Sequence, residues 1–143
     1  GGLRSEDRDV VDWAMRRLGV HEFAGKSVST LSDGENARVM IARALAQQTP
    51  VILLDEPTAF LDIAGKYELC EMLDSLCSEG KTIIFSSHDL STVWATRCSI
   101  ALIYEGELHH APMAEMCYGE ALSGFFRESG FEMDYSTGAL RRL

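Results

Sequence analysis

Proline is scarce in this sequence and basic residues are outnumbered by acidic ones. Three prolines and an aromatic content of 8% exclude collagen-like and proline-rich linker classes. A sum of 13 Lys+Arg against 22 Asp+Glu leaves a formal charge of −9, with a pI near 4.8. That balance argues against a nucleic-acid groove or an anionic membrane surface as a binding partner. No apolar run approaches the ~20 residues that a membrane span needs; the best are Val51 to Leu54 and Ile100 to Tyr104. The cysteines Cys70, Cys77, Cys98 and Cys117 form no C-x-x-C pair. Cys70 and Cys77 fall in a helical stretch, too far apart for a bridge on one helix, so reduced, cytosolic thiols are expected. The N-terminus does not read as a signal peptide. A chain that opens Gly1-Gly2 rather than with Met is expected to be a processed or excised piece of something longer.

What remains is globular: 143 residues, 46% hydrophobic and 24% charged, the size and composition of one domain. Residues 5 to 18 read as a helix. Acids Glu6, Asp7 and Asp9 crowd its start, Arg16 and Arg17 sit at its end, and Gly19 is placed for a left-handed cap. Ala37, Met40, Ile41, Ala44 and Leu45 mark one face of a second helix running to about Gln48. Val51 to Leu54 is a short continuous apolar run, as expected of a strand buried on both faces. Leu69, Met72, Leu73, Leu76 and Cys77 repeat the helical stripe, and Gly80 stands where a helix stops. Lys81 to Ser86 predicts a second strand, and Asp89 a cap for a helix to about Arg97. Ser99 to Tyr104 predicts a third strand, turning at Glu105-Gly106 into Glu107 to His110.

Strands alternating with helices imply β-α-β crossovers and a parallel sheet with helices against it. The expected organisation is a helical piece, 1–49, an α/β piece, 50–111, and an appendage, 112–143. The appendage should hold short helices around Met113 to Met116 and Glu120 to Glu128, and a hairpin turning at Ser136-Thr137-Gly138. Trp13 and Trp94 are expected to be packing residues.

Three segments can carry chemistry. Asp55-Glu56 ends the first apolar strand, at the sheet edge where ligands of parallel sheets sit, and two adjacent acids there can hold a metal and activate a water. They can equally be a solvated strand end. Ser32 and Glu35 in Leu31-Ser32-Asp33-Gly34-Glu35 have capping-box spacing, which explains them locally. A helix N-terminus with a glycine that lets another molecule approach also suits a phosphate. Ser86-Ser87-His88-Asp89 follows the second strand, so His88 falls at the same sheet edge as Asp55-Glu56 and can donate to a phosphate oxygen or a water. His109 and His110, adjacent in a strand, point to opposite faces and are not expected to share a metal with Glu115 and Cys117.

In order and spacing these segments resemble the C-terminal half of an ABC-type ATPase, the nucleotide-binding domain of ABC transporters. Leu31 to Leu45 (LSDGENARVMIARAL) looks like the LSGGQ signature and its helix. Pro50 to Asp62 (PVILLDEPTAFLD) looks like Walker B and the D-loop, and His88 stands where the switch histidine does. The likeness covers about residues 28–108. It implies an α/β fold: part of a P-loop NTPase (RecA-like) parallel sheet with helices, plus a helical subdomain carrying the signature. It also implies roles. Asp55 would hold Mg²⁺ through water, Glu56 would be the general base or water-orienting residue, and His88 would contact the γ-phosphate of ATP. Ser32 and Gly34 would reach ATP bound to a second nucleotide-binding domain, and Asp62 would communicate across that homodimer. Positioning and charge neutralisation are what phosphoryl transfer requires. The implied protein hydrolyses ATP on the cytoplasmic face of the membrane, driving a permease rather than inserting itself. Phe60-Leu61-Asp62-Ile63 is similar to the version in iron-siderophore, haem and cobalamin importers.

The family's phosphate loop, GxxxxGK[ST], is missing. Gly25-Lys26-Ser27 imitates its end, but Val20 stands where the first glycine belongs and no buried strand precedes it. The chain alone is therefore expected neither to bind ATP tightly nor to turn it over, and its unpaired faces should drive self-association. Asp33 and Glu35 replace a glycine and a glutamine of the signature. A like-charge contact at ~4 Å costs about 4 kcal/mol at an effective dielectric near 20, so Asp33 must point away from a phosphate or be paired by a cation. Glu35 should turn back toward the helix start. Two other functions fit the residues less well. A non-transport ABC ATPase would carry long coiled coils or a basic patch, and a non-catalytic binding module would have no phosphate loop upstream.

Overall fold

Helix α1 (Ser5–Arg17) starts with Glu6 and Asp7 and ends with Arg16 and Arg17, charges that complement the helix dipole at both ends. Gly19 closes it at φ +65°. The N–H of Gly19 donates to Arg16 C=O and that of Val20 to Met15 C=O, the paired bonds of a Schellman stop. Two single 3₁₀ turns (His21–Phe23 and Val28–Thr30) lead to α2 (Asp33–Ala46), whose buried residues are Ile41, Ala42 and Leu45. Met40 of the expected stripe is exposed, so the stripe is shared between the core and an open groove.

The computed structural model describes residues 4–96, 98–134 and 139–143, in two units, Gly1–Thr92 and Val93–Leu143. Within the first, β1 (Val51–Leu54), α3 (Ile63–Ser78) and β2 (Thr82–Phe85) form a β-α-β crossover. The two strands pair in parallel, Val51 opposite Thr82 through Leu54 opposite Phe85. One apolar cluster holds the unit together, with Ala14, Leu18 and Val20 from the α1 region, Ile41 and Leu45, Ile52, and Leu69, Leu73 and Leu76 of α3. Burying each such side chain stabilises by about 1.5–3 kcal/mol. On α3 it is Cys70 that is buried, while Cys77 of the expected stripe is exposed. Gly80, at φ +93°, stops the helix as its position suggests.

Two expectations fail here. The first strand is not buried on both faces: Ile52 is 3% exposed but Leu53 is 73% exposed, because α2 and α3 cover one face of the pair and nothing among the described residues covers the other. The bare face carries Val51, Leu53 and Ile84. Trp13, expected in the packing, is 46% exposed on α1.

The second unit begins within α4 (Leu90–Ala95); the expected helix end at Arg97 lies outside the described residues. Strands β3 (Ser99–Tyr104) and β4 (Glu107–Pro112) form an antiparallel hairpin instead of adding to the parallel sheet. Glu105 (φ +50°) and Gly106 (φ +79°) make its two-residue turn, since positive φ at both positions matches the twist of the strands. Helices α5 (Met113–Tyr118) and α6 (Glu120–Glu128) follow, then a second antiparallel hairpin, β5 (Phe131–Asp134) with β6 (Ala139–Arg142). Its expected turn, Ser136-Thr137-Gly138, lies outside the described residues. Met116, Cys117, Leu122, Phe126 and Met133 are the buried apolar residues described in this unit, and Thr96 is buried as well.

Candidate functional site

The carboxyl ends of β1 and β2 lie side by side because the strands run in parallel and in register. Residues that follow the two strands, 30 positions apart in sequence, therefore meet. Ser86 N–H donates to Leu54 C=O at 3.0 Å, carrying the ladder one step past the last strand pair. Its hydroxyl donates to Asp55 Oδ1 at 2.6 Å and accepts from Glu56 N–H at 3.0 Å. Glu56 takes φ +45°, a left-handed conformation that non-glycine residues rarely adopt. From there its Oε1 accepts a 2.7 Å bond from His88 Nδ1. The Glu56 carboxylate raises the His88 pKa above its ordinary value, through that hydrogen bond first and its charge second. His88 is mostly exposed and Glu56 half-buried, so the pair opens to solvent on one side.

Two further contacts fix the surrounding loops. Thr58 and Thr92, both buried, place their hydroxyls 3.2 Å apart, pinning the turn after Glu56 to the start of α4. Lys66 on α3 pairs with Asp89, the residue after His88. Asp62 caps α3, its Oδ1 accepting from Gly65 N–H at 2.7 Å.

At the start of α2 the capping box forms as expected. Glu35 N–H donates to Ser32 Oγ at 3.3 Å, and Ser32 N–H donates to Glu35 Oε2 at 2.8 Å. The backbone bond from Ser32 is the largest cause of a lowered Glu35 pKa, so this carboxylate is turned back and spent on the helix start. Gly34 faces the loop before α3: a Cβ there would stand 3.8 Å from Leu61. Asp33 and Asn36 line, with Leu53 to Glu56 and Phe60, a groove of about 470 Å³. The Oδ1 of Asn36 is buried there with no hydrogen-bond partner among the described residues.

Of the residues singled out in the sequence, Glu56 and His88 bond directly and Asp55 is joined to Glu56 through the Ser86 hydroxyl, while Ser32, Gly34 and Asp62 stand apart from them as helix-start residues. Ser86, which has no role of its own in the sequence reading of Ser86-Ser87-His88-Asp89, joins the first group. Its signal was present, because it is the first polar residue after the apolar Ile83-Ile84-Phe85 run. Gly25-Lys26-Ser27 is a loop in which Lys26 Nζ sits 4.6 Å from the centre of the Phe23 ring, and no strand leads into it.

The donors here are hard oxygens. No group of three His, Cys, Asp or Glu side chains among the described residues could hold an ion. A carboxylate with a hydroxyl beside it offers hard oxygens only. That fits Mg²⁺, which keeps several waters and takes one or two protein oxygens together with substrate phosphates. No cradle for those phosphates accompanies it in this sequence.

A family profile described as "ABC transporter" matches residues 4–59. The chain is 46% identical over 92 residues to the iron(3+)-hydroxamate import ATP-binding protein FhuC of Bacillus subtilis (strain 168), covering 64% of this chain and 34% of that protein. It is 35% identical over 142 residues to the petrobactin import ATP-binding protein FpuC of Bacillus anthracis, covering 97% of this chain and 51% of that protein. A solved metal-chelate type ABC transporter in an inward-facing conformation superposes with a TM-score of 0.80 at 28% identity, covering 89% of this chain and 51% of that one. The chain thus spans between a third and a half of the length of such relatives. Its fold is that of a P-loop NTPase, represented in part.

Proposed function

This chain is part of an ABC-type ATPase domain, and from that premise we propose that the intact protein hydrolyses ATP to power an importer of an iron-siderophore, haem or cobalamin class of complex. The relatives' names support the importer reading, as they are import ATP-binding proteins for such cargo. The observation that carries the enzymatic reading is the hydrogen-bonded chain at the ends of two parallel strands, from Asp55 through the Ser86 hydroxyl to Glu56 and on to His88.

In this reading Asp55 supplies the metal-side oxygen, and Mg²⁺ when bound neutralises charge on the phosphate oxygens. Glu56 orients the attacking water and accepts its proton, for which a half-exposed carboxylate held in one direction is suited. His88, held by Glu56 and protonated more readily for it, offers a donor to a terminal phosphate. Ser32 and Gly34 present the start of α2 to nucleotide bound by a second copy, and Asp62 lies at that boundary. Residues 1–49 act as the signature-bearing helical piece, 50–111 as the core piece and 112–143 as an appendage. A transmembrane permease is the other partner, placing the protein on the cytoplasmic face of the membrane; no helix described here is long and apolar enough to cross it.

The test is Glu56→Gln in the intact protein. ATP binding should persist while hydrolysis nearly stops, and an ATP-bound dimer should accumulate on a sizing column. Wild-type turnover in that variant would remove Glu56 from its role. The 143-residue chain alone should show no detectable heat on titration with Mg-ATP, since it lacks the phosphate cradle. Micromolar binding would mean that the phosphates have another seat, with Gly25-Lys26-Ser27 the first segment to mutate.

A further inference from the structure

We propose that Ser86 is a positioning residue for phosphoryl transfer, its one hydroxyl locking the metal-side carboxylate of Asp55 and the backbone of Glu56 into a single arrangement. The inference rests on the assignment of Asp55 and Glu56 to ATP hydrolysis.

A serine hydroxyl has one proton and two lone pairs. The partners of Ser86 leave no choice in how these are used. Ionised Asp55 can only accept and the amide of Glu56 can only donate, so the proton goes to Asp55 Oδ1 at 2.6 Å and a lone pair takes Glu56 N–H at 3.0 Å. The hydroxyl is itself anchored, because Ser86 N–H is bonded to Leu54 C=O at 3.0 Å in the continuation of the strand ladder. Backbone pairing of β1 with β2 thereby fixes where the metal-side oxygen sits.

The second half of the argument is the conformation of Glu56. At φ +45° it occupies a region unfavourable for a residue with a Cβ, and such conformations persist where surrounding bonds over-determine them. Two bonds do so here: Glu56 N–H to Ser86 Oγ, and Ala59 N–H to Glu56 C=O at 3.0 Å. This conformation delivers the carboxylate to His88. Alanine at 86 would leave the Glu56 amide without its acceptor and Asp55 without its donor. Threonine would keep both, at a position that is exposed.

The experiment uses the intact ATPase with Ser86→Ala and Ser86→Thr, and two measurements. One is amide hydrogen exchange at Glu56 in the nucleotide-free protein; the other is turnover as a function of Mg²⁺ at saturating ATP. Ser86→Ala should speed exchange at Glu56, raise the Mg²⁺ needed for half-maximal rate several-fold and lower kcat about tenfold or more. The KM for ATP should stay within about twofold, as no nucleotide-binding group is touched. Ser86→Thr should restore all three. Unchanged exchange and Mg²⁺ dependence in Ser86→Ala, or a threonine variant as impaired as alanine, would overturn the proposal. Glu56→Gln run alongside separates the two ideas. Full turnover there removes the hydrolytic assignment itself, whereas arrest there with a normal Ser86→Ala removes only the role of Ser86. If Ser86→Ala does not fold, Ser86→Cys, a weak donor and weak acceptor, takes its place, with the same outcomes expected in smaller measure.

Discussion

His88 Nδ1 and Glu56 Oε1 lie 2.7 Å apart although 32 positions separate them in the chain, and the contact holds the imidazole above its ordinary pKa. A group whose folded pKa is raised contributes stability that is fully present below the unfolded value, about 6.5 for histidine, and is lost as pH rises through the folded value. The His88–Glu56 contact should therefore weaken on going from mildly acidic to alkaline solution. An NMR titration of the His88 ring in the chain should show a midpoint above that of Glu56→Gln, in which the charge is gone. Identical midpoints would show that the contact does not persist in solution.

The bare and covered faces of the β1–β2 pair predict opposite responses to truncation. Leu76 is fully buried among Leu69, Leu73 and the α1 residues, so Leu76→Ala should cost about 2–5 kcal/mol through lost transfer energy and a cavity. Leu53, 73% exposed, should cost about 0.5 kcal/mol or less when cut to alanine. Urea unfolding of both variants checks the contrast, and equal losses would mean that the outer face is covered in solution.

That outer face should also make the chain sticky. Val51, Leu53 and Ile84 form a contiguous apolar strip on a two-stranded sheet with open edges, a surface that invites pairing with another copy. Light scattering should report concentration-dependent association of the wild-type chain, reduced in a Leu53→Lys, Ile84→Lys double variant. A monomer across the whole range would count against an open face.

Gly124 on α6 is predicted to be hard to replace. A Cβ there would stand 2.8 Å from the Tyr104 hydroxyl and 3.1 Å from the ring, closer than side chains pack. Tyr104 is also held edge-on by Phe125, with ring centres 6.4 Å apart. Gly124→Ala should lower the melting temperature of the chain by displacing Tyr104, at a cost of about 1–3 kcal/mol for overpacking. A second change, Tyr104→Ala, should abolish that extra penalty; a penalty that survives it would place the cause elsewhere.

Much of this was legible in the sequence where a signal is local. The Ser32–Glu35 box, the left-handed Gly19 and Gly80, and the two-residue turn at Glu105-Gly106 all depend on neighbours within a few positions, and all form. What misled was partnership at a distance. An apolar run such as Val51 to Leu54 tells that a strand wants cover on both faces, but not whether the same chain supplies it. The β3 strand carries isoleucines like β2, and its composition does not say which strands lie beside it; what is legible is the local hairpin with β4 across Glu105-Gly106. The role of Ser86 is not legible in the sequence for a related reason. A serine at a strand end has many uses, and only the register that sets it opposite Asp55 and Glu56 shows which one applies.

Helix α3 is tied by ion pairs at its two ends and by hydrocarbon in between. Near its start Lys66 pairs with Asp89, and near its end Ser75 and Glu79 receive the Arg17 guanidinium of α1, while Leu69, Leu73 and Leu76 fill the middle. Salt screens partly exposed charges and leaves apolar contacts intact. Raising ionic strength should thus loosen both ends of the helix while its middle stays seated. With the Lys66–Asp89 pair screened, the segment that carries His88 loses one of its ties to α3.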